Sequence, residues 1–144
     1  MSDQAQSRQA ATTSHRILIL DAIRCWRKAR DDGHFPQPCL FRALAPHGAD
    51  FIAPALDSVM TFYESHLRRP ISVGDELTIS DDESWLLASL IEVATEERST
   101  AQHDCAALML DCAIQSMRAI LKRLPSASQS LDFVALCASR RAVR

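Results

Sequence analysis

The chain has 144 residues, enough for one hydrophobic core and too few for two ordinary domains. Hydrophobic residues make up 47% and charged residues 24%, which excludes a globally disordered chain; a formal net charge of -2, with acids and bases interspersed, argues against a nucleic-acid partner, because phosphate contacts dominate such binding. Only three Gly are present, too few for a fold rich in tight turns, whereas abundant Ala and Leu favour helices.

Residues 1–14 are mostly Ala, Gln, Ser and Thr. They carry too little apolar surface to offset the cost of ordering, so a flexible leader is expected. The first helix is predicted over 15–32, with Ser14 as N-cap and Gly33 at the left-handed position that closes a helix. Leu18, Ala22, Cys25, Trp26 and Ala29 form its apolar stripe, which Ile19 and Ile23 widen; Asp21, Arg24, Lys28 and Asp31 are expected to face water.

His34-Phe35-Pro36-Gln37-Pro38 reads as a connector, and Pro38 suits the first turn of a short helix through Leu44 that Pro46-His47-Gly48 ends. A longer helix is predicted over 51–67, where Ile52, Ala55, Leu56, Val59, Met60, Tyr63 and Leu67 repeat at helical spacing. Asp57, Thr61 and Glu64 mark its wet face, and Pro54 must lie in its first turn.

Between 70 and 80 the period changes. Ile71 and Val73, then Leu77 and Ile79, alternate with polar residues around Gly74-Asp75. A short β-hairpin near 71–79 and a plain extended linker both fit this pattern. Ser80-Asp81-Asp82-Glu83 is a capping box: the Ser80 hydroxyl can accept from the Glu83 N–H, and the Glu83 carboxylate can accept from the Ser80 N–H. The helix it opens should turn Leu86, Leu87, Leu90, Ile91 and Ala94 inward and end near 97.

The last long helix is predicted over 101–124, with Ala106, Met109, Leu110, Ala113, Met117, Ile120, Leu121 and Leu124 on one broad face. Cys105, Leu108 and Cys112 extend that face. Pro125 stops the helix, 126–130 is a polar linker, and 131–144 is predicted as a final helix with Leu131, Val134, Ala135 and Ala138 on one side. The fold class is therefore all-α, a small bundle of about five to six helices. The expected division is a leader at 1–14, a helical domain at 15–124, and a linker with a C-terminal amphipathic helix at 125–144.

Candidate chemistry is sparse. Cys105 and Cys112 would lie about 10 Å apart on one helix, too far for a disulfide, and core packing accounts for them. The Asp81-Asp82-Glu83 cluster is explained by the capping box, and His66, Arg68 and Arg69 suit the negative end of a helix dipole. His15, His34, His47 and His103 are scattered. No Gly-flanked serine elbow, reactive Cys pair or Gly-rich phosphate loop is present. No catalytic, cofactor-binding or metal residue is assigned, and no cofactor is expected. The five cysteines are an odd number without close spacing, the N-terminus lacks the apolar core of a signal peptide, and no apolar run approaches the ~20 residues of a membrane span. Reduced thiols and a cytoplasmic setting, away from the membrane, are the expectation.

The stretch 67–90 resembles a group of short, uncharacterised bacterial helical proteins. The resembling features are Arg69-Pro70, the extended Ile71-Ser72-Val73 run, and Ser80-Asp81-Asp82-Glu83 opening a Leu-rich helix. Many members of that group carry cysteines just before the Asp-Glu helix. Glu76, Leu77 and Thr78 stand there in this chain, so no thiol or metal role carries over. The resemblance implies a helical fold and no particular activity.

In the tail, Leu131, Phe133, Val134, Leu136 and Cys137 cannot all face one side of a helix. Excess apolar surface in a short chain suggests burial against another protein or another copy. Leu131, Phe133, Val134 and Leu136 are accordingly the expected partner-binding residues. The expected function is a non-enzymatic protein-interaction module, a small regulator or accessory subunit, with a protein partner or itself as a homo-oligomer. The alternative is a small-molecule-binding helical domain or an enzyme, with a pocket between helices lined by Trp26, Met60, Tyr63, Trp85 and Met117. A DNA-binding regulator ranks below both. Arg16, Arg24, Arg27, Lys28 and Arg30 make the first helix basic, but Asp21, Asp31 and Asp32 dilute that charge.

Overall fold

A computed structural model describes residues 3–91 and 104–124, with 3–11 described by their backbone alone. Helix α1 (Asp3–Asp31) ends where Gly33 adopts a φ of 71°. The Gly33 N–H donates to the Arg30 carbonyl and the His34 N–H to the Ala29 carbonyl, the paired bonds that satisfy the last carbonyls of a helix. The start of α1 departs from expectation. Residues 3–14 are helical and continuous with the rest of α1, so Ser14, expected as the N-cap, lies inside the helix. The Ala- and Gln-rich run has good helix propensity, and extending an existing helix avoids the cost of nucleating one.

Helix α2 (Pro36–Leu44) begins at Pro36, two residues before Pro38, because a proline is tolerated throughout the first turn. Two 3₁₀ turns, Ala45–His47 and Asp50–Ile52, lead into α3 (Ala53–Leu67), with Pro54 in the first turn. Helices α4 (Asp81–Ile91) and α5 (Cys105–Leu121) complete the described elements. Asp104 caps α5, its carboxylate accepting from the Ala106 N–H at 3.3 Å. The chain is all-α, with five α-helices and no strand among the described residues. The predicted helical stretches 92–97 and 101–103 and the tail 125–144 lie outside them.

Helix α1 packs mainly on α2 and α4, and α3 packs mainly on α5. One continuous core joins Ile19, Ile23 and Trp26 of α1 with Leu40 and Leu44 of α2. It runs on through Leu56, Val59 and Met60 of α3 and Leu86 and Leu87 of α4 to Leu110, Ile114 and Met117 of α5. The apolar spacing of each helix places these residues on its inner face, and their burial is the main driving force for folding.

The stretch from Arg68 to Ser80 contains no strand: it turns at Arg68, bends at Glu76 and Leu77, and folds back so that the Ser80 hydroxyl donates to the Ser72 carbonyl at 2.8 Å, an irregular loop in place of either the hairpin or the plain extended linker. Its backbone donors go to carboxylates on the flanking helices. The Ile71 N–H donates to Glu64 at 3.0 Å, Ser72 to Asp82 at 2.8 Å, and Gly74 and Ser80 to Glu83 at 2.9 and 2.8 Å. Asp75 closes the loop tip by accepting from the N–H groups of Leu77 and Thr78. Strand pairing is unnecessary once these donors are satisfied.

Gly74 is required by close approach. A Cβ there would stand 2.0 Å from the Thr78 carbonyl oxygen. Gly74→Ala must open the loop and loosen its bond to Glu83, and is expected to cost roughly 1–3 kcal/mol. Thermal unfolding by circular dichroism checks this, and an unchanged melting temperature would contradict it.

Candidate functional site

Two features stand out from an otherwise ordinary bundle: a set of ion pairs whose carboxylates are buried or half-buried, and an open apolar groove.

Glu83 is fully buried and Asp82 is 5% exposed. The capping box forms as the spacing predicts, with the Glu83 N–H donating to the Ser80 hydroxyl at 3.1 Å and the reciprocal bond from the Ser80 N–H. Glu83 also accepts from Arg24 Nε at 2.7 Å, and Arg24 donates onward to the Thr78 carbonyl at 2.9 Å. Asp82 accepts two bonds from Arg69, at 2.7 and 2.9 Å, and one from the Tyr63 hydroxyl at 3.3 Å. Glu64 accepts from Arg27 and Arg30.

Three expectations change here. Arg24 and Glu64 are half-buried and paired, not water-facing residues. Arg69 closes on Asp82, and its neighbour Arg68 holds the left-handed turn (φ 54°) that ends α3. The acidic cluster is structural, as expected, but it ties α1, α3 and the 68–80 loop to α4 rather than merely capping one helix.

Burial alone would push the Glu83 carboxyl up, but Arg24 and the N–H groups of Ser80 and Gly74 outweigh it and hold the group below its ordinary value. Arg69 does the same for Asp82, against burial and with help from the Ser72 N–H. The Tyr63 hydroxyl is pushed up to about 12 by burial and then by Asp82. Both carboxylates thus bind protons more weakly when folded than when unfolded. Their contribution to stability is present above the unfolded carboxylate range of about 4 and is lost as pH falls through the lower folded values. A melting temperature steady near neutrality that falls below about pH 4–5 is expected; a profile flat to pH 2 would contradict the assignment.

The groove lies between α3 and α5 and encloses about 490 Å³. Ala55, Ser58 and Phe62 form one wall. Cys105, Leu108, Met109 and Cys112 form the other, with Ala113 and Ser116 beside them. Leu108 is 50% exposed and Met109 46%. The core face of α5 is instead Leu110, Ala113, Ile114 and Met117. Cys105, Leu108, Met109 and Cys112, expected on the inward face, are all exposed. The apolar character of α5 exceeds what one buried stripe accommodates, and the surplus opens to solvent.

Few polar atoms line the groove. The Ser58 and Ser116 hydroxyls donate to carbonyls of their own helices, those of Pro54 and Cys112, at 3.0 and 2.9 Å. The aromatic and Met residues considered for a ligand pocket are elsewhere. Trp26, Met60, Tyr63 and Met117 belong to the core, and Trp85 stacks on Tyr63 at 4.6 Å between ring centroids. A second cleft, of about 580 Å³, lies where α1, α4 and α5 meet and is more polar. Its Arg118 is engaged, donating to the Ser89 carbonyl at 2.6 Å.

The four described cysteines are free thiols. Burial pushes the Cys25 thiol up, with the neighbouring Cys39 adding to this and Arg42 opposing it, so Cys25 is a poor nucleophile near neutrality. Among the described residues, no group of three or more His, Cys, Asp or Glu side chains is placed to hold a metal ion, and no helix is long and apolar enough to cross a membrane. The expected partner-binding residues Leu131, Phe133, Val134 and Leu136 lie outside the described residues. No protein-family model, curated protein or solved structure matches this chain.

Proposed function

We propose that this chain is a protein-interaction module, a small regulator or accessory subunit, whose docking surface is the α3–α5 groove. One observation carries this reading: large apolar side chains of α5 stand half-exposed along a groove lined almost wholly by apolar atoms. A contiguous apolar surface of this kind marks a place for a partner. An amphipathic helix is the occupant that such a groove suits, inserting side chains at i, i+3, i+4 and i+7. Met109 is adaptable and fits surfaces that repack around a partner.

The small-molecule reading is weaker because orientation of a ligand requires a few convergent polar groups. The groove's two hydroxyls already donate to their own helices.

Leu108→Asp tests the proposal. Because Leu108 is half-exposed and outside the core cluster, the substitution is expected to leave the helical bundle folded. Tagged wild-type and variant proteins, used as baits in extract of the native host, are expected to differ: proteins retained by the first are lost from the second. Identical sets of retained proteins, with both baits folded, would overturn the groove as the docking surface.

A further inference from the structure

We propose that residues 131–144 of the same chain dock as a helix in the α3–α5 groove, antiparallel to α5, and that a partner gains the groove by displacing them. The inference rests on the reading of the groove as a helix-docking surface.

Composition selects this segment. Of the two long stretches outside the described residues, 92–103 is mostly polar, with three Glu and two Thr, and Val93 is its largest apolar residue. Residues 131–144 carry Leu131, Phe133, Val134 and Leu136. On a helix, Leu131, Val134, Ala135 and Ala138 take one side, whereas Phe133, Leu136 and Cys137 take another. A helix apolar on two sides matches a groove with two walls, one from α3 and one from α5.

Length and position agree. The described chain ends at Leu124, just past α5. The polar stretch 125–130 spans at most about 20 Å and permits a return along the same helix. A helix over 131–144 is about 21 Å long, enough to run back past Ser116, Cys112 and Met109 to Cys105. That direction brings the basic end, Arg140, Arg141 and Arg144, to the end of α5 where Asp104 is exposed. A helix this short is marginal alone in water and needs such a surface to form.

The native thiols supply the test. Cys137 lies in the tail, and Cys105 and Cys112 lie in the groove. The full-length protein is treated with a short bifunctional maleimide, and the links are mapped by mass spectrometry over a wide range of protein concentration. The expected product is an intramolecular link from Cys137 to Cys105 or Cys112, with a yield independent of concentration. A link between chains whose yield rises with concentration would make a second copy the occupant and overturn the proposal. So would absence of any link from Cys137 to either groove thiol.

An independent readout is the alkylation rate of Cys105 and Cys112 by a single-headed maleimide. Replacing both Leu131 and Phe133 by Asp is expected to raise that rate by about tenfold, equivalent to releasing a contact of ~1.4 kcal/mol. An unchanged rate in a folded variant would also overturn the proposal. Neither outcome depends on partner capture by the Leu108→Asp pair, so failure of the tail in the groove and failure of the groove as a partner site are separable.

Discussion

Glu83→Ala is expected to destabilise the domain by about 3–5 kcal/mol, the cost typical of breaking a buried ion pair by removing one partner. The Glu83 side chain is fully buried and its carboxylate is the meeting point of three elements. Its removal leaves Arg24 of α1 facing no anion and strips the Gly74 and Ser80 N–H groups of their acceptor. It also breaks the capping box at the start of α4. Glu83→Gln retains the shape and part of the hydrogen bonding, so a smaller loss is expected. Urea unfolding followed by circular dichroism measures both. If the alanine variant stays within about 1 kcal/mol of wild type, the carboxylate is not the tie described here.

Trp26→Ala is the second large effect, expected at about 3–5 kcal/mol for truncation of a large aromatic residue in a core. Trp26 is 1% exposed and sits within the cluster that joins α1, α2 and α3. Its indole N–H donates to Asp57 at 2.6 Å, and the Arg30 guanidinium lies 5.4 Å from its ring centroid. Trp26→Phe separates packing from hydrogen bonding. It fills most of the volume but leaves Asp57 with the Gln37 amide as its remaining side-chain donor at 3.0 Å, a loss of about 1–2 kcal/mol. Equal stability of the alanine variant and wild type would refute the packing role of this residue.

The helices were legible because periodicity is a local signal. Ile19, Ile23, Leu56, Val59, Leu86 and Leu87 repeat at helical spacing and are buried. The capping box and the Gly33 closure were legible for the same reason, since every atom involved lies within a few residues. The ion pairs were not legible. Arg24 and Glu83 are 59 positions apart, and Arg27 and Glu64 are 37 apart. Each looks like an ordinary solvated charge on its own helix, and only the packing of α1 on α3 and α4 unites them.

The hairpin failed to form for a related reason. Alternation in Ile71, Val73, Leu77 and Ile79 is a signal for extended backbone, but it does not say what satisfies that backbone. Here nearby carboxylates do so. In α5 the apolar pattern is broad, as its spacing predicts, but Cys105, Leu108, Met109 and Cys112 within it are exposed and not part of the core. Periodicity counts apolar residues without saying how many a neighbouring helix covers, and that surplus became the candidate site.

The carboxylate anchoring of the 68–80 loop also bears on solubility. Alternation of apolar and polar residues, as in Ile71-Ser72-Val73 and Leu77-Thr78-Ile79, is a pattern from which chains build intermolecular sheets, provided a free row of backbone donors is offered as a template. The N–H groups of Ile71, Ser72, Gly74 and Ser80 are already spent on Glu64, Asp82 and Glu83. A second molecule approaching this segment finds those positions taken, so the same bonds that hold the loop on the bundle guard it against aggregation.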